Sequence, residues 1–249
     1  NALMADFDAV ALQGARADVA DSGAEVHAHT VDVSDRDAVH DLADFAAARL
    51  GKLHVLCNNA GVGYEGVALD EIPDNDWDWV LGVNLHGVIN CLQRFLPMLK
   101  SHGEEGHVVN TASIGGLQVR AGFRRGAYCT TKFAVVGLSE ALRNDLAPKG
   151  IGVSVLCPAA VNTEIYRPNR NRPARFGAPY QGQESDELRG LLKAGKHPDE
   201  IGRWVVRAIR DNILFILPHA ETRQWLDERQ ERFHEAFDWA ASVEAEIAG

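Results

Sequence analysis

The sequence predicts a doubly wound α/β fold, with helices on both faces of a parallel, Rossmann-like sheet. Three observations carry this. Short apolar runs alternate with helix-length amphipathic stretches along the chain. Several of those runs are apolar throughout, as strands buried on both faces require. No composition shift or linker divides the 249 residues, so one domain over 1–249 is expected.

Taken in order, Ala2 to Ala5 reads as a strand closed by Asp6, and Asp8 to Ser22 as a helix. Glu25 to Val31 is the next strand, and a helix follows over Asp35 to Leu50, with Ser34 as N-cap and Gly51 past its end. Leu53 to Cys57 reads as a strand, and Asp74 to Ser101 as one long helix capped by Asp74. His107 to Thr111 is a strand, and Gly126 to Ala147 is a helix stopped at Gly150. The pattern ends with the strand Gly152 to Cys157, the helix Pro198 to Arg210 and the strand Ile213 to Leu217. Two segments break the alternation. Glu164 to His197 is rich in Pro, Arg, Asn, Gln and Gly and too long for an ordinary connection, so residues 164–197 are expected to form a substrate lid. Residues 221–247 form a long helix whose stripe of Leu226, Phe233, Phe237 and Ala240 reads as core docking or a subunit contact.

Composition narrows the class. With 46% hydrophobic, 24% charged and 7% aromatic residues, disordered, collagen-like and disulfide-scaffold chains are excluded. Apolar runs such as Ile213 to Pro218 fall far short of the roughly 20 residues of a membrane helix, and no signal-like start is seen, so a cytoplasmic protein without a membrane partner is expected. Cys57, Cys91, Cys129 and Cys157 form no C-x-x-C unit, so they read as buried free thiols and no metal site is expected. A net charge of -10 argues against nucleic acid. The charge is uneven: residues 120–175 carry ten Lys and Arg against three acids. Such a stretch either steers an anionic ligand or forms a solvated face.

Gly61-Val62-Gly63-Tyr64-Glu65-Gly66 matches G-x-G-x-x-G behind a strand, but Val67 to Ile72 leads to Pro73, and no helix opens at the third glycine. The motif therefore reads as a turn and not a phosphate loop. The chemistry points elsewhere. Tyr128 and Lys132, four apart on a helix, share one face. An ammonium beside a phenol favours the phenolate, and a shift of about 3 units from a pKa near 10, roughly 4 kcal/mol, would give an acid/base group usable near neutrality. Such a pair alone is commonplace. Here it is accompanied by Asn58-Asn59-Ala60-Gly61 closing one strand, Asn84 within a helix, Asn110-Thr111-Ala112-Ser113 closing another, and Pro158-Ala159-Ala160-Val161-Asn162-Thr163 after a third.

With these motifs in this order, the sequence resembles the short-chain dehydrogenase/reductase family from Asp6 to the strand near Phe215. The resemblance implies that Tyr128 exchanges a proton with the substrate hydroxyl or carbonyl, that Lys132 lowers its pKa and binds the nicotinamide ribose, and that Ser113 hydrogen-bonds the substrate oxygen. Asn84 would hold a water in a proton relay behind Lys132. Asp6 matches the acid that binds the adenosine ribose hydroxyls in NAD-preferring members, and it would repel the extra phosphate of NADP, so NAD is the expected cofactor. Asp32 and Val33 would contact adenine, Asn59, Ala60 and Gly61 the adenosine side, and Pro158, Val161 and Thr163 the nicotinamide end. Ala159 stands where the family motif has glycine.

The family's first strand and T-G-x-x-x-G-x-G loop, about 30 residues with their helix, have no counterpart before Asp6. A piece of a longer protein is expected, a degenerate non-catalytic member being the alternative. The implied reaction is that of an NAD-dependent alcohol dehydrogenase or ketoreductase. The lid's apolar residues suit a hydrophobic secondary alcohol or ketone, such as a terpenoid or steroid-like compound, and its arginines admit an acidic group. The competing class is a binding or assembly subunit without cofactor. Family members pair as homodimers or homotetramers through two long helices, here Asp74 to Ser101 and Gly126 to Ala147, with Trp77 and Trp79 either in that contact or under the lid.

Overall fold

A computed structural model describes residues 1–122, 124–180 and 186–248. Strand β1 (Ala2–Asp6) pairs in parallel with β2 (Val26–Thr30) across α1 (Ala9–Ala20). After α2 (Arg36–Leu50) the chain enters a second parallel sheet, ordered β3 (Val55–Asn58), β4 (Gly106–Thr111), β5 (Ile151–Leu156), β6 (Phe215–Ile216). Among the described residues no strand pairs with the free edges of β1 and β3, so the sheet is in two pieces. Their union is made by side chains. Leu3 and Val31 of the first piece share a core with Val39, Leu42 and Ala46 of α2 and with Leu92, Phe95 and Leu99 of α4 (Gly87–Ser101).

Both faces of the larger sheet are covered, as uninterrupted apolar strands demand. Val108, Val153 and Val155 face α4 and α5 (Gly126–Leu146), while their chain neighbours Val109 and Leu156 face Ile201 and Ala208 of α7 (Pro198–Asp211). This period of two is the pleat at work.

Several sequence expectations need correction. Asp74 to Ser101 is not one helix: α3 (Asp74–Leu81) gives way to a π-helical turn, Gly82–His86, before α4. The turn presents Asn84 to the backbone of Val62, and it sets Gly87 so close to Val33 that a Cβ there would lie 2.6 Å from Val33 Cγ2. The N-cap of α2 is Asp35, whose carboxylate accepts from Asp37 and Ala38; Ser34 is turned aside to Asp32. Pro73, not Asp74, precedes α3. The lid is partly regular, with 3-10 turns Pro168–Asn171 and Ala174–Phe176 and a helix α6 (Asp186–Lys193), and Leu188 and Leu192 pack beneath it on Tyr166. The terminal helix α8 (Arg223–Ala248) buries no residue and leaves Phe237 72% exposed, so its stripe does not dock in the core. It is tied through Arg232 to Gln118 and by Arg229 over the Phe133 ring. All four cysteines are free, but Cys57 is exposed and not buried. Among the described residues no helix is long and apolar enough to cross a membrane.

Candidate active site

The chemistry-bearing residues gather at the carboxyl ends of β3, β4 and β5, where parallel α/β sheets open their ligand crevice. Tyr128 lies in the first turn of α5 and Lys132 one turn further, both buried against the sheet. Ser113 follows β4 and caps a short 3-10 turn, its Oγ accepting from Gly115 N at 3.1 Å. The 61–66 loop after β3 closes the group. A Cβ on Gly61 would stand 3.3 Å from Asn84 Oδ1 and 3.4 Å from Lys132 Nζ, so glycine lets this backbone pass between them.

Burial dominates the electrostatics. The Tyr128 phenol is pushed up from its ordinary pKa by desolvation, opposed first by the Arg125 guanidinium and then by a hydrogen bond with Ser113. Arg125 lies with its guanidinium carbon 4.9 Å from the ring centroid. Lys132 is itself pulled down to about 8 by burial, and its Nζ, 5.6 Å from that centroid, donates to Thr111 O at 2.9 Å. The sequence reading gave the pKa-lowering role to Lys132. Both cations lie over the Tyr128 ring, Arg125 at 4.9 Å and Lys132 at 5.6 Å from its centroid. Asn84 likewise spends its amide on protein groups: Oδ1 accepts from Val62 N at 2.8 Å, and Nδ2 donates to Val62 O at 3.0 Å and to Thr131 Oγ1 at 3.3 Å.

The residues expected to hold a dinucleotide divide between the two sheets. Asp6, at the end of β1, is exposed, and one carboxylate oxygen takes Asp8 N at 2.8 Å. Asp32 bonds Ser34 Oγ at 2.6 Å and pairs with Arg175 of the lid at 2.7 Å. Val33 packs on the core. Ala60 and Gly61 are exposed, Asn59 Oδ1 accepts from Thr111 Oγ1 at 3.1 Å, and Pro158 O accepts from Ile114 N at 2.9 Å. Val161 bridges Lys196, and Thr163 is exposed beside it. Carboxylates at the tips of β1 and β2 and a row of open loop atoms over β3 to β5 suit a dinucleotide lying across the strand ends. The 61–66 loop gives no pyrophosphate cradle: Gly63 meets the lid, where a Cβ would lie 2.6 Å from Ile165 O.

Other site residues could not be found by spacing. Buried Asp76 on α3 accepts from Tyr64 OH at 2.8 Å and pairs with Arg172 of the lid at 2.6 Å, and Arg172 also stacks 4.8 Å over Trp79. Trp79 is fully buried there, under the lid of its own chain, and Trp77 packs beside it partly exposed. Beside this anchor a pocket is walled by Tyr64, Glu65, Arg125, Ile165, Tyr166 and Tyr180. Arg172 and Arg175 of the lid are thus engaged with acids of the front half of the chain, whereas Arg167 and Arg189 pair with Glu164 and Asp186 within the lid.

A family model described as short chain dehydrogenase matches residues 2–174. This chain belongs to the short-chain dehydrogenase/reductase family. Its relatives include a C alpha-dehydrogenase of Sphingobium sp., 32% identical over 99% of this chain and 80% of that protein. A 1-deoxy-11-beta-hydroxypentalenate dehydrogenase of Streptomyces exfoliatus is 40% identical over 66% of this chain and 59% of its own length. Among solved structures, a short-chain dehydrogenase/reductase from Burkholderia phymatum in complex with NAD superposes with TM-score 0.88 at 36% identity, covering 94% of this chain and 85% of that one. As a short-chain dehydrogenase/reductase the protein is an oxidoreductase, and the doubly wound parallel fold read from its sequence is the fold of that neighbour.

Proposed function

We propose that this short-chain dehydrogenase/reductase oxidises a secondary alcohol, or reduces the matching ketone, with NAD as cofactor and Tyr128 as the acid/base. One observation carries the reading: the Tyr128 phenol is sealed between Arg125 and Ser113 beside an aromatic-walled pocket, with Lys132 one turn behind. In the oxidising direction the phenolate accepts the substrate's hydroxyl proton; in the reducing direction the phenol donates it to the forming alkoxide. Ser113, from the end of β4, donates a hydrogen bond to the same oxygen and steadies developing charge. NAD, when bound, supplies the hydride acceptor. Asp6 would take its ribose hydroxyls and disfavour a phosphorylated ribose, Asp32 and Val33 would meet adenine, Asn59, Ala60 and Gly61 the adenosine side, and Pro158, Val161 and Thr163 the nicotinamide end. Lys132 would reach the second ribose. Asn84, braced on Val62, fixes the loop that carries Gly61 and would hold a relay water behind Lys132. The NAD complex of the Burkholderia phymatum protein and the dehydrogenase names of the relatives support this reading. A cytoplasmic homodimer or homotetramer of one-domain subunits completes it.

Tyr128→Phe tests it: turnover of NADH with a panel of hydrophobic ketones should fall by at least about 100-fold, the usual worth of a positioned acid/base, while NADH binding persists. Retained turnover refutes the assignment. A second reading, a binding subunit without cofactor, draws support from Arg175, which already engages the Asp32 carboxylate. Saturable enhancement of NADH fluorescence by the chain would exclude it.

A further inference from the structure

The loop that follows β5 is held by a side chain from the far end of the chain. His219 lies just past β6, with only 4% of its surface exposed. Its Nδ1 accepts from Ala159 N at 3.2 Å, and its Nε2 donates to Ala160 O at 3.0 Å. A backbone N–H can only donate and a carbonyl can only accept, so the ring is neutral and carries its proton on Nε2. Both ring nitrogens are thereby committed to two successive residues, 60 and 59 positions away in sequence. The histidine is braced from behind as well. Its carbonyl oxygen accepts from Thr222 Oγ1 at 2.7 Å and from Thr222 N at 3.0 Å, within the 3-10 turn Ala220–Thr222 that leads into α8.

The other holds on this loop fall on different atoms. Pro158 O accepts from Ile114 N at 2.9 Å, which ties the loop to the turn capped by Ser113. Ala160 O also takes Lys196 N at 3.1 Å, and Asn162 N donates to Lys196 O at 3.0 Å. Ala160 O therefore keeps a partner without His219, whereas Ala159 N does not: among the described residues Nδ1 is its one acceptor. That amide stands between Pro158 and Val161, which the cofactor reading places at the nicotinamide end. Ala159 keeps the negative φ of ordinary backbone, so its own conformation does not lock the loop. We propose that His219 is a positioning residue for the nicotinamide end of the cofactor site, its Nδ1 holding the 158–163 loop in the shape that receives that end. The proposal rests on the cofactor reading given above and adds to it a residue outside every motif that marked the site in the sequence. Released from Nδ1, the loop divides its population among several shapes, and affinity falls with the fraction that stays receptive.

NADH and AMP separate the two ends of the site, since AMP carries the adenosine part alone. Both are titrated into the full chain, NADH by its nicotinamide fluorescence and AMP by calorimetry, and the melting temperature of each variant is recorded. His219→Phe keeps a ring but accepts nothing; it should weaken NADH by roughly 5- to 100-fold, the worth of one buried hydrogen bond, and leave AMP within about twofold. His219→Asn puts an amide oxygen where Nδ1 stood and should restore most of the loss. His219→Gln reaches the Nε2 position, serves only Ala160 O, and should restore little. A merely structural role gives another pattern: NADH and AMP weaken together in step with the melting temperature, or Gln rescues as well as Asn, and either result overturns the proposal. If His219→Phe does not fold, the comparison of Asn with Gln decides. If wild type binds NADH no more tightly than AMP, the cofactor reading falls and takes the proposal with it. A wild-type advantage for NADH that survives intact in His219→Phe removes the proposal and leaves that reading standing.

Discussion

Replacing Arg172 with Met would unfasten the lid from α3 and leave a buried carboxylate behind. Arg172 and Asp76 meet at 2.6 Å with side chains only 3% and 6% exposed, and the guanidinium also lies 4.8 Å over Trp79. After the substitution Asp76 keeps Tyr64 OH at 2.8 Å as its one charge-stabilising partner. Removing one member of a buried pair costs about 3–5 kcal/mol, a figure that already contains the roughly 2 kcal/mol of a desolvated cation–π contact. At about 2–4 °C per kcal/mol for a chain of this length, the melting temperature should drop by roughly 6–20 °C. Urea unfolding followed by tryptophan fluorescence is a suitable assay, because Trp79 lies inside the network. The double variant Asp76→Asn with Arg172→Met should recover at least half of the loss, since no charge is then orphaned. A single-variant loss below about 1 kcal/mol, or strict additivity in the cycle, would refute the view that this pair clamps the lid.

Lys132 and Arg175 yield two further tests. Burial lowers Lys132 from 10.5 to about 8, so between those pH values the unfolded chain binds a proton that the folded chain does not, and this residue makes stability rise with pH by about 3 kcal/mol. The buried thiols and Tyr128 are shifted upward and act in the opposite sense, so the measurement is the stability of wild type minus that of Lys132→Met at pH 7.5 and pH 10.5; a balance that does not move toward wild type on raising the pH contradicts the sign. Arg175→Ala should raise the affinity for AMP by up to about fivefold, since the half-exposed pair with Asp32 must be released for adenine to reach that carboxylate. The same substitution in an Asp32→Asn background should have no effect, and an equal gain there would mean that Arg175 does not compete for Asp32.

Legibility in the sequence followed the range of the interactions. β4 and β5 were readable to within a residue because both of their faces are buried and the apolar runs are unbroken. The π-helical turn at Gly82–His86 was not, because apolar periodicity continues through it and its cause is a contact between Asn84 and Val62 across the crevice. The N-cap of α2 was misassigned by one residue because Ser34 and Asp35 are both good caps, and Arg175 with Asp32 holds Ser34 elsewhere. Helix α6 did leave a signal, Leu188 and Leu192 at a spacing of four, but the Pro-rich residues before it masked it. Tyr128, Lys132 and Ser113 stand in local motifs that mark them as candidates before the chain folds. The Asp76–Arg172 clamp and the Arg125–Glu65 pair were not legible, since each joins residues 60 or more positions apart, and charges of that kind have no pattern until the chain folds.

The division of the sheet has a thermodynamic consequence. Among the described residues no strand ladder ties β1 and β2 to β3 through β6, and the first piece is held by the packing of residues such as Leu3 and Val31 on α2 and α4 and by the Arg175–Asp32 pair. A segment retained by side-chain contacts without a strand ladder opens as its own cooperative unit, at a free energy below that of global unfolding. Asp6 and Asp32 ride on that unit, whereas Asn59, Pro158 and Thr163 belong to the other. A ligand spanning both sets therefore adds a tie between the two pieces, and its binding free energy is spent partly on suppressing the opening of residues 2–30.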